Sequence, residues 1–257
     1  MDLYNPLTAQ ILICLVTAHV LGDFLLQTSR DVGAKRQWTT LLKHTVIHAG
    51  LAYLLAGLWM NWLLPLAVLI SHAVIDAIKS RLRDPGARAF LFDQAAHLVA
   101  LAALAAWCAR EPVTLYWVDL ADEWYLKASL LLTGAILTIY AGGFLVGLAV
   151  KPFLEELQAA NSTDNSSLPT TSRGFANGGQ VIGRLERALI LIFVLTHNPG
   201  GVGFLFAAKS ILRFGEVKDP AHRMEAEYII IGTLMSFGYG ILMATLTQAL
   251  LAVSWVP

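Results

Sequence analysis

The stretch Leu7-Thr-Ala-Gln-Ile-Leu-Ile-Cys-Leu-Val-Thr-Ala-His-Val-Leu-Gly-Asp-Phe-Leu-Leu-Gln27 decides how the rest of the chain is read. It is an apolar run of about the 20 residues that a helix needs to cross hydrocarbon, and near its end His19 stands four residues before Asp23. On a helix that spacing puts two donor side chains on one face, about 6 Å apart along the axis. The pattern recurs within the first hundred residues as His44 with His48, His72 with Asp76 and Asp93 with His97, each pair inside or at the edge of an apolar run. Five of the seven histidines are used this way, so the spacing is a property of the chain and not of one helix.

Composition sets the solvent. With 257 residues, 56% hydrophobic and 14% charged, and a mean hydropathy of +0.61, the chain is too apolar for an ordinary soluble domain. It predicts an all-α, polytopic transmembrane helix bundle with the lipid bilayer as its partner, and a net charge of zero argues against a nucleic-acid surface. Cys14 and Cys108 lie in apolar runs without metal or disulfide spacing and read as packing residues. Met1 to Pro6 has no basic segment or small-residue cleavage site, so the first run is expected to be a retained span.

Eight spans are expected, at about 7–27, 40–60, 63–80, 90–109, 126–150, 180–197, 200–214 and 227–255. They form two four-span halves: a bundle over 1–110 with the His/Asp residues, an acidic, aromatic outer loop at 111–125, and a second half over 126–257. The seventh span opens on His197-Asn-Pro-Gly-Gly201, which suits a broken or re-entrant helix. Residues 155–178, with Asn161, Ser162, Thr163, Asn165, Ser166 and Ser167, have little apolar surface and predict a mobile cytosolic linker.

Basic residues orient the bundle. Arg30, Lys35, Arg36, Lys43, Arg81, Arg83, Arg88, Lys151, Arg173, Lys218 and Arg223 all fall in alternate loops, which are therefore cytosolic, and both termini are outside. The same topology puts Trp59, Trp62, Trp107, Trp117, Trp124 and Trp255 at the outer interface and Trp38 at the inner one, as an aromatic belt requires.

This topology brings the four pairs to one depth in the cytosolic leaflet. Asp23, His44, Asp76 and Asp93 lie nearer the cytosol, and His19, His48, His72 and His97 one turn deeper. An aspartate at mid-helix costs ~2.5–3.5 kcal/mol on insertion scales, so such residues face an interior or a water-filled cavity. A single His-x3-Asp reads as a hydrogen bond within a packed helix; four at one depth read as a shared metal or proton site. The histidine content favours zinc, with manganese or iron as alternatives. Eight donors exceed the four of one tetrahedral ion, so either two ions are held or some aspartates only orient the imidazoles of their own helix. Beside the pairs, Gly22 allows a close approach by a helix or substrate, Gln27 and Gln94 either hydrogen-bond a ligand or end a helix, and Lys79, one turn past Asp76, either neutralises that aspartate, binds an anion or snorkels to the interface. In the second half Arg184, Arg187, Lys209 and Arg213 form a candidate anion pocket, against the alternative of Arg–Glu pairing with Glu186 and Glu227.

The run His19-Val-Leu-Gly-Asp-Phe-Leu-Leu-Gln27, with His44, His48, His72-x3-Asp76-x2-Lys79, Phe92-Asp-Gln94-x2-His97 and Gly183-Arg-Leu-Glu-Arg187, resembles over nearly the whole chain a bacterial inner-membrane family catalogued as a domain of unknown function. The resemblance implies an inner-membrane location and supplies no activity. The His-x3-Asp helices are also similar to those of the membrane-bound metal-dependent hydrolases and, more distantly, of zinc phospholipase C. That similarity implies a zinc-dependent hydrolase of a phosphoester, and the common depth of the pairs beside the basic cytosolic rim points to the cytosolic face and an anionic lipid or polyprenyl phosphate. Asp76 or Asp93 would be the catalytic base, and Lys79, Arg184, Arg187, Lys209 or Arg213 would bind the substrate. The rival expectations are a divalent-cation or proton-coupled transporter using the same cluster, and a structural membrane scaffold.

Overall fold

In a computed structural model of the chain, residues 5–27, 37–81, 86–111, 113–163, 177–213 and 223–256 are described. Among these residues the secondary structure is helical, without strands. The helices are α1 (Pro6–Leu21), which runs into a π turn at Gly22–Leu26, α2 (Trp38–Ala56), α3 (Leu63–Lys79), α4 (Ala87–Cys108) and α5 (Tyr116–Ile136). A second π turn, Leu137–Ala141, leads to α6 (Gly142–Thr163), followed by α7 (Gly178–Leu195), α8 (Pro199–Arg213) and α9 (Arg223–Leu251).

Local chemistry sets several ends. Asn5 caps α1 by accepting from the Leu7 amide at 3.0 Å, and Pro6 occupies the first helical position, where its missing N–H has no cost. α2 stops at Gly57, whose φ of +63° is the left-handed conformation that glycine adopts freely. Within α5, Asp122 breaks the helical geometry at φ 53° and ψ −146°. The expected loop at 111–125 is therefore helical from Tyr116 onward, interrupted at Asp122.

Four helices among the described residues are long and apolar enough to cross a membrane: Pro6–Leu26, Ala87–Cys108, Tyr116–Ala160 and Met224–Leu251. The other expected spans are helical but do not qualify, for physical reasons. α3 and α8 have only 17 and 15 residues. α2 and α7 are diluted by His44 and His48 and by Arg184, Glu186 and Arg187. α6 continues to Thr163, into the segment expected to be a linker; the rest of that segment, 164–176, and the loop cations Arg30, Lys35, Arg36, Arg83, Arg173 and Lys218 lie outside the described residues.

The chain forms two compact units, Met1–Ile136 with Ala249–Pro257, and Leu137–Gln248. In the first, α1 is central and packs on α2, α4 and α5, while α3 packs between α2 and α4. Burial runs all round α1, from Ile11, Cys14 and Leu15 to Thr17, Ala18 and His19. Thr17 donates to the Ile13 carbonyl (2.7 Å) and meets Thr133 of α5 across 2.9 Å, so the polar groups of this contact are satisfied within it. On α3 the inward face is Leu64, Val68, His72 and Asp76, and the outward face is Leu66, Ile70, Val74 and Ile78. Charged and polar side chains inside with large aliphatic ones outside is the arrangement suited to a lipid surrounding and not to water.

At the α2 C-terminal end of this unit, Trp59, Tyr116 and Trp117 make ring contacts, and Trp117 and Tyr125 donate to the Leu54 and Leu55 carbonyls at 2.6 Å each. In the second unit the π turn at Leu137–Ala141 frees main-chain carbonyls that an α-helix would use. Arg187 donates through Nε and Nη2 to the Ile139 carbonyl, at 3.2 and 2.9 Å, and Tyr239 donates to that of Leu137 at 3.1 Å.

Candidate metal centre

The π turn after α1 shapes the centre. It carries Asp23 and places Gly22 flat against the imidazole of His48, where a Cβ would collide with Cε1 and Nε2 of that ring. The close approach expected of Gly22 is thus to a histidine of α2. Asp23 then lies among the histidines: its Oδ1 is 3.2 Å from His44 Nε2 and 3.3 Å from His48 Nε2. His44 Nε2 also stands 3.3 Å from Asp76 Oδ2 and 3.1 Å from His72 Nε2. The His48 and His72 rings stack at 3.8 Å between centroids, and those of His19 and His97 at 4.9 Å. All four pairs expected to share a depth therefore meet inside the first unit.

Donor atoms gather in three groups, each within 4.8 Å: His19, Asp23, His48 and His72; His44, His72 and Asp76; and Asp76, Asp93 and His97. Bonds of 2.0–2.1 Å to a tetrahedral zinc put neighbouring ligand atoms about 3.3 Å apart. The 3.1–3.3 Å separations around His44 and Asp23 fall close to that edge length.

The cluster is nearly dry, with Asp76 1% exposed and His48 2%. Five of its buried atoms nevertheless lack a hydrogen bond of good geometry: His19 Nδ1, Asp23 Oδ1, His48 Nε2, Asp93 Oδ1 and His97 Nε2, of which Asp23 Oδ1 and His48 Nε2 face each other at 3.3 Å. A buried group left wholly unsatisfied costs about 1–3 kcal/mol, so a cluster with this much unused bonding capacity is costly unless something fills it. These five are all carboxylate oxygens or imidazole nitrogens, the donor types that bind zinc.

The far ends of the same side chains are held. Gln94 donates to Asp23 Oδ2 at 3.0 Å and Asp93 Oδ2 at 3.2 Å, and accepts from His19 Nε2 at 3.3 Å. His97 Nδ1 donates to the Asp93 carbonyl at 2.9 Å, which leaves Nε2 without a proton. Lys79 Nζ, one-third exposed, pairs with Asp93 Oδ2. The Gln27 side-chain amide lies 3.4 Å from His44 Nδ1. Gln27, Gln94 and Lys79 thus hold imidazoles and carboxylates of the cluster in place.

The other candidate substrate cations belong to the second unit. Arg187, 3% exposed, is bound to Ile139 and, through Nη1, to Ser236 Oγ at 2.8 Å, and it is packed against Gly142, Gly143 and Gly183. Lys209 pairs with Glu186 at 2.7 Å, and Arg184 lies over the Tyr140 ring at 5.0 Å. Lys209 is thus paired with a carboxylate, whereas Arg187 is bonded to a main-chain carbonyl and a serine hydroxyl and not to a glutamate. The side chain of Arg213 and all of His222 lie outside the described residues, and His197 has left-handed backbone at φ 57° just before α8.

Residues 11–121 match the family DUF3307, described as a protein of unknown function. The match takes in all eight His/Asp residues and stops short of the Gly183–Arg187 motif, so the family likeness is narrower than the nearly full-length one expected from the sequence. No curated protein and no solved structure matches the chain.

Proposed function

We propose that the chain is an integral-membrane, metal-dependent hydrolase that cleaves a phosphoester, on a lipid or polyprenyl phosphate, at the cytosolic face of a bacterial inner membrane. In this reading all eight expected spans lie in the membrane and both termini are outside. Zinc is the favoured ion. The observation that carries the proposal is the set of buried His and Asp donor atoms gathered within 4.8 Å of one another in the first unit, five of them without a hydrogen bond of good geometry. Beyond them, on the side away from the aspartates, the core is apolar, with Leu15, Ala52, Leu64, Val68, Leu101 and Ala105. That plug favours a site reached from one side over a route through the bundle.

A divalent ion held by these residues would supply Lewis acidity at a phosphoryl oxygen and a lowered pKa for bound water. The protein's own part is positional and acid–base. His19, His44, His48, His72 and His97 hold, with the aspartates, the charge that the reaction needs. Asp93 Oδ2 is committed to Lys79, so Asp76 is the base: one of its carboxylate oxygens would face the ion and the other would take the proton from the attacking water. Lys79, partly exposed at the rim, uses its remaining N–H groups to hold an anionic oxygen of the substrate.

Phosphate release from a panel of lipid phosphates by the purified protein, beside Asp76→Asn and Lys79→Met, tests this. Metal-dependent turnover lost in Asp76→Asn is expected. Metal uptake into liposomes that depends on Asp76, with no hydrolysis of any lipid phosphate, would overturn it in favour of a carrier.

A further inference from the structure

We infer that the cluster is two metal sites of different kind: a closed one formed by His19, Asp23, His48 and His72, and an open one formed by Asp76, Asp93 and His97. This rests on the metal reading above and adds the number and inequality of the ions. The two groups share no residue, although the third, His44, His72 and Asp76, takes one member from each and lies between them. Their unsatisfied atoms divide between them: His19 Nδ1, Asp23 Oδ1 and His48 Nε2 in the first, Asp93 Oδ1 and His97 Nε2 in the second. One ion in either group would leave the orphaned atoms of the other uncompensated. His44 stands between the groups, near Asp23 on one side and Asp76 on the other.

The hydrogen bonds around the cluster fit the same division. Gln94 binds the Oδ2 atom of one carboxylate in each group, Asp23 and Asp93, and in both residues it is Oδ1 that lacks a hydrogen bond. Its oxygen takes the Nε2 proton of His19, so Nδ1 is left for an ion. A single glutamine on α4 therefore positions both sites. Lys79 binds the same Asp93 Oδ2, so Asp93 offers the open site one oxygen only.

Chemistry then separates the roles. Three imidazoles and one carboxylate complete a tetrahedral zinc, which is the closed form of a structural site. Two carboxylates and one imidazole leave a coordination position for water or a phosphate oxygen, and their harder donor set takes manganese more readily than the first site does. The open site is the one next to Lys79.

The test is metal counting on the full chain in detergent, stripped with a chelator and reloaded with Zn2+ or Co2+, followed by addition of inorganic phosphate to the Co2+ form. Wild type should bind two ions per chain, and His97→Ala and His48→Ala one each. Phosphate should shift the visible Co2+ bands of wild type and of His48→Ala, and leave those of His97→Ala unchanged. The wild-type count decides by itself if a variant fails to fold. A count of one overturns the two-site inference and leaves the metal reading standing; a count of zero overturns both. Two ions lost together in His97→Ala, in a variant that remains monodisperse, would also overturn the inference by showing one indivisible site.

Discussion

Gly22→Ala separates the account from ordinary helix energetics, because the two predict opposite signs. Gly22 has helical dihedrals, φ −63° and ψ −48°, and alanine there would normally stabilise by roughly 0.5–1 kcal/mol. In this fold the new Cβ runs into His48, with Cδ2 of the ring only 2.9 Å away and two other ring atoms nearer still. The ring cannot retreat freely, since its other neighbour His72 is stacked at 3.8 Å. Overpacking of this sort costs about 1–3 kcal/mol, which exceeds the propensity gain. The displaced ring is moreover a proposed ligand, so metal affinity should fall about 10–100-fold, the usual cost of disturbing the groups that orient a ligand. Thermal unfolding in detergent and metal retention during dialysis against a chelator measure the two effects. A Gly22→Ala protein as stable as wild type or more so, retaining metal equally well, would refute the packing of Gly22 on His48 and with it the role of the π turn.

Other substitutions probe the remaining contacts. Gln94→Leu keeps the volume but removes the bonds to His19, Asp23 and Asp93, and should weaken metal binding about 10–100-fold in a competition titration. Gly57→Ala must hold φ +63° and push against Trp117 Cδ1 at 2.9 Å, so a loss of about 1–3 kcal/mol is expected by denaturant or thermal unfolding, with metal content unchanged. Arg187→Lys cannot reproduce the forked contact to the Ile139 carbonyl together with the bond to Ser236, and should cost roughly 1–3 kcal/mol in unfolding.

The positions of the helices were legible because hydropathy and span length report directly on burial, and the i, i+4 pairs because helical geometry fixes which residues share a face. What hydropathy does not encode is the hydrogen-bond register. The π turn at Gly22–Leu26 needs only a local shift from i+4 to i+5 bonding, although it decides where Asp23 points. Long-range pairing was equally hidden: Lys79 with Asp93 and Arg187 with Ile139 depend on how helices pack, and the sequence shows only that a cation is present in an apolar setting. The helix through Glu155 to Thr163 was obscured by polarity. Glu155, Glu156, Gln158, Ala159 and Ala160 are good helix formers and extend a helix already nucleated, so they need no apolar face to stay helical.

If the buried His and Asp atoms hold a divalent ion, elemental analysis of the protein purified without chelators will find stoichiometric divalent metal in wild type and a marked loss in His48→Ala and His72→Ala. A folded wild type without stoichiometric metal would rule the metal centre out.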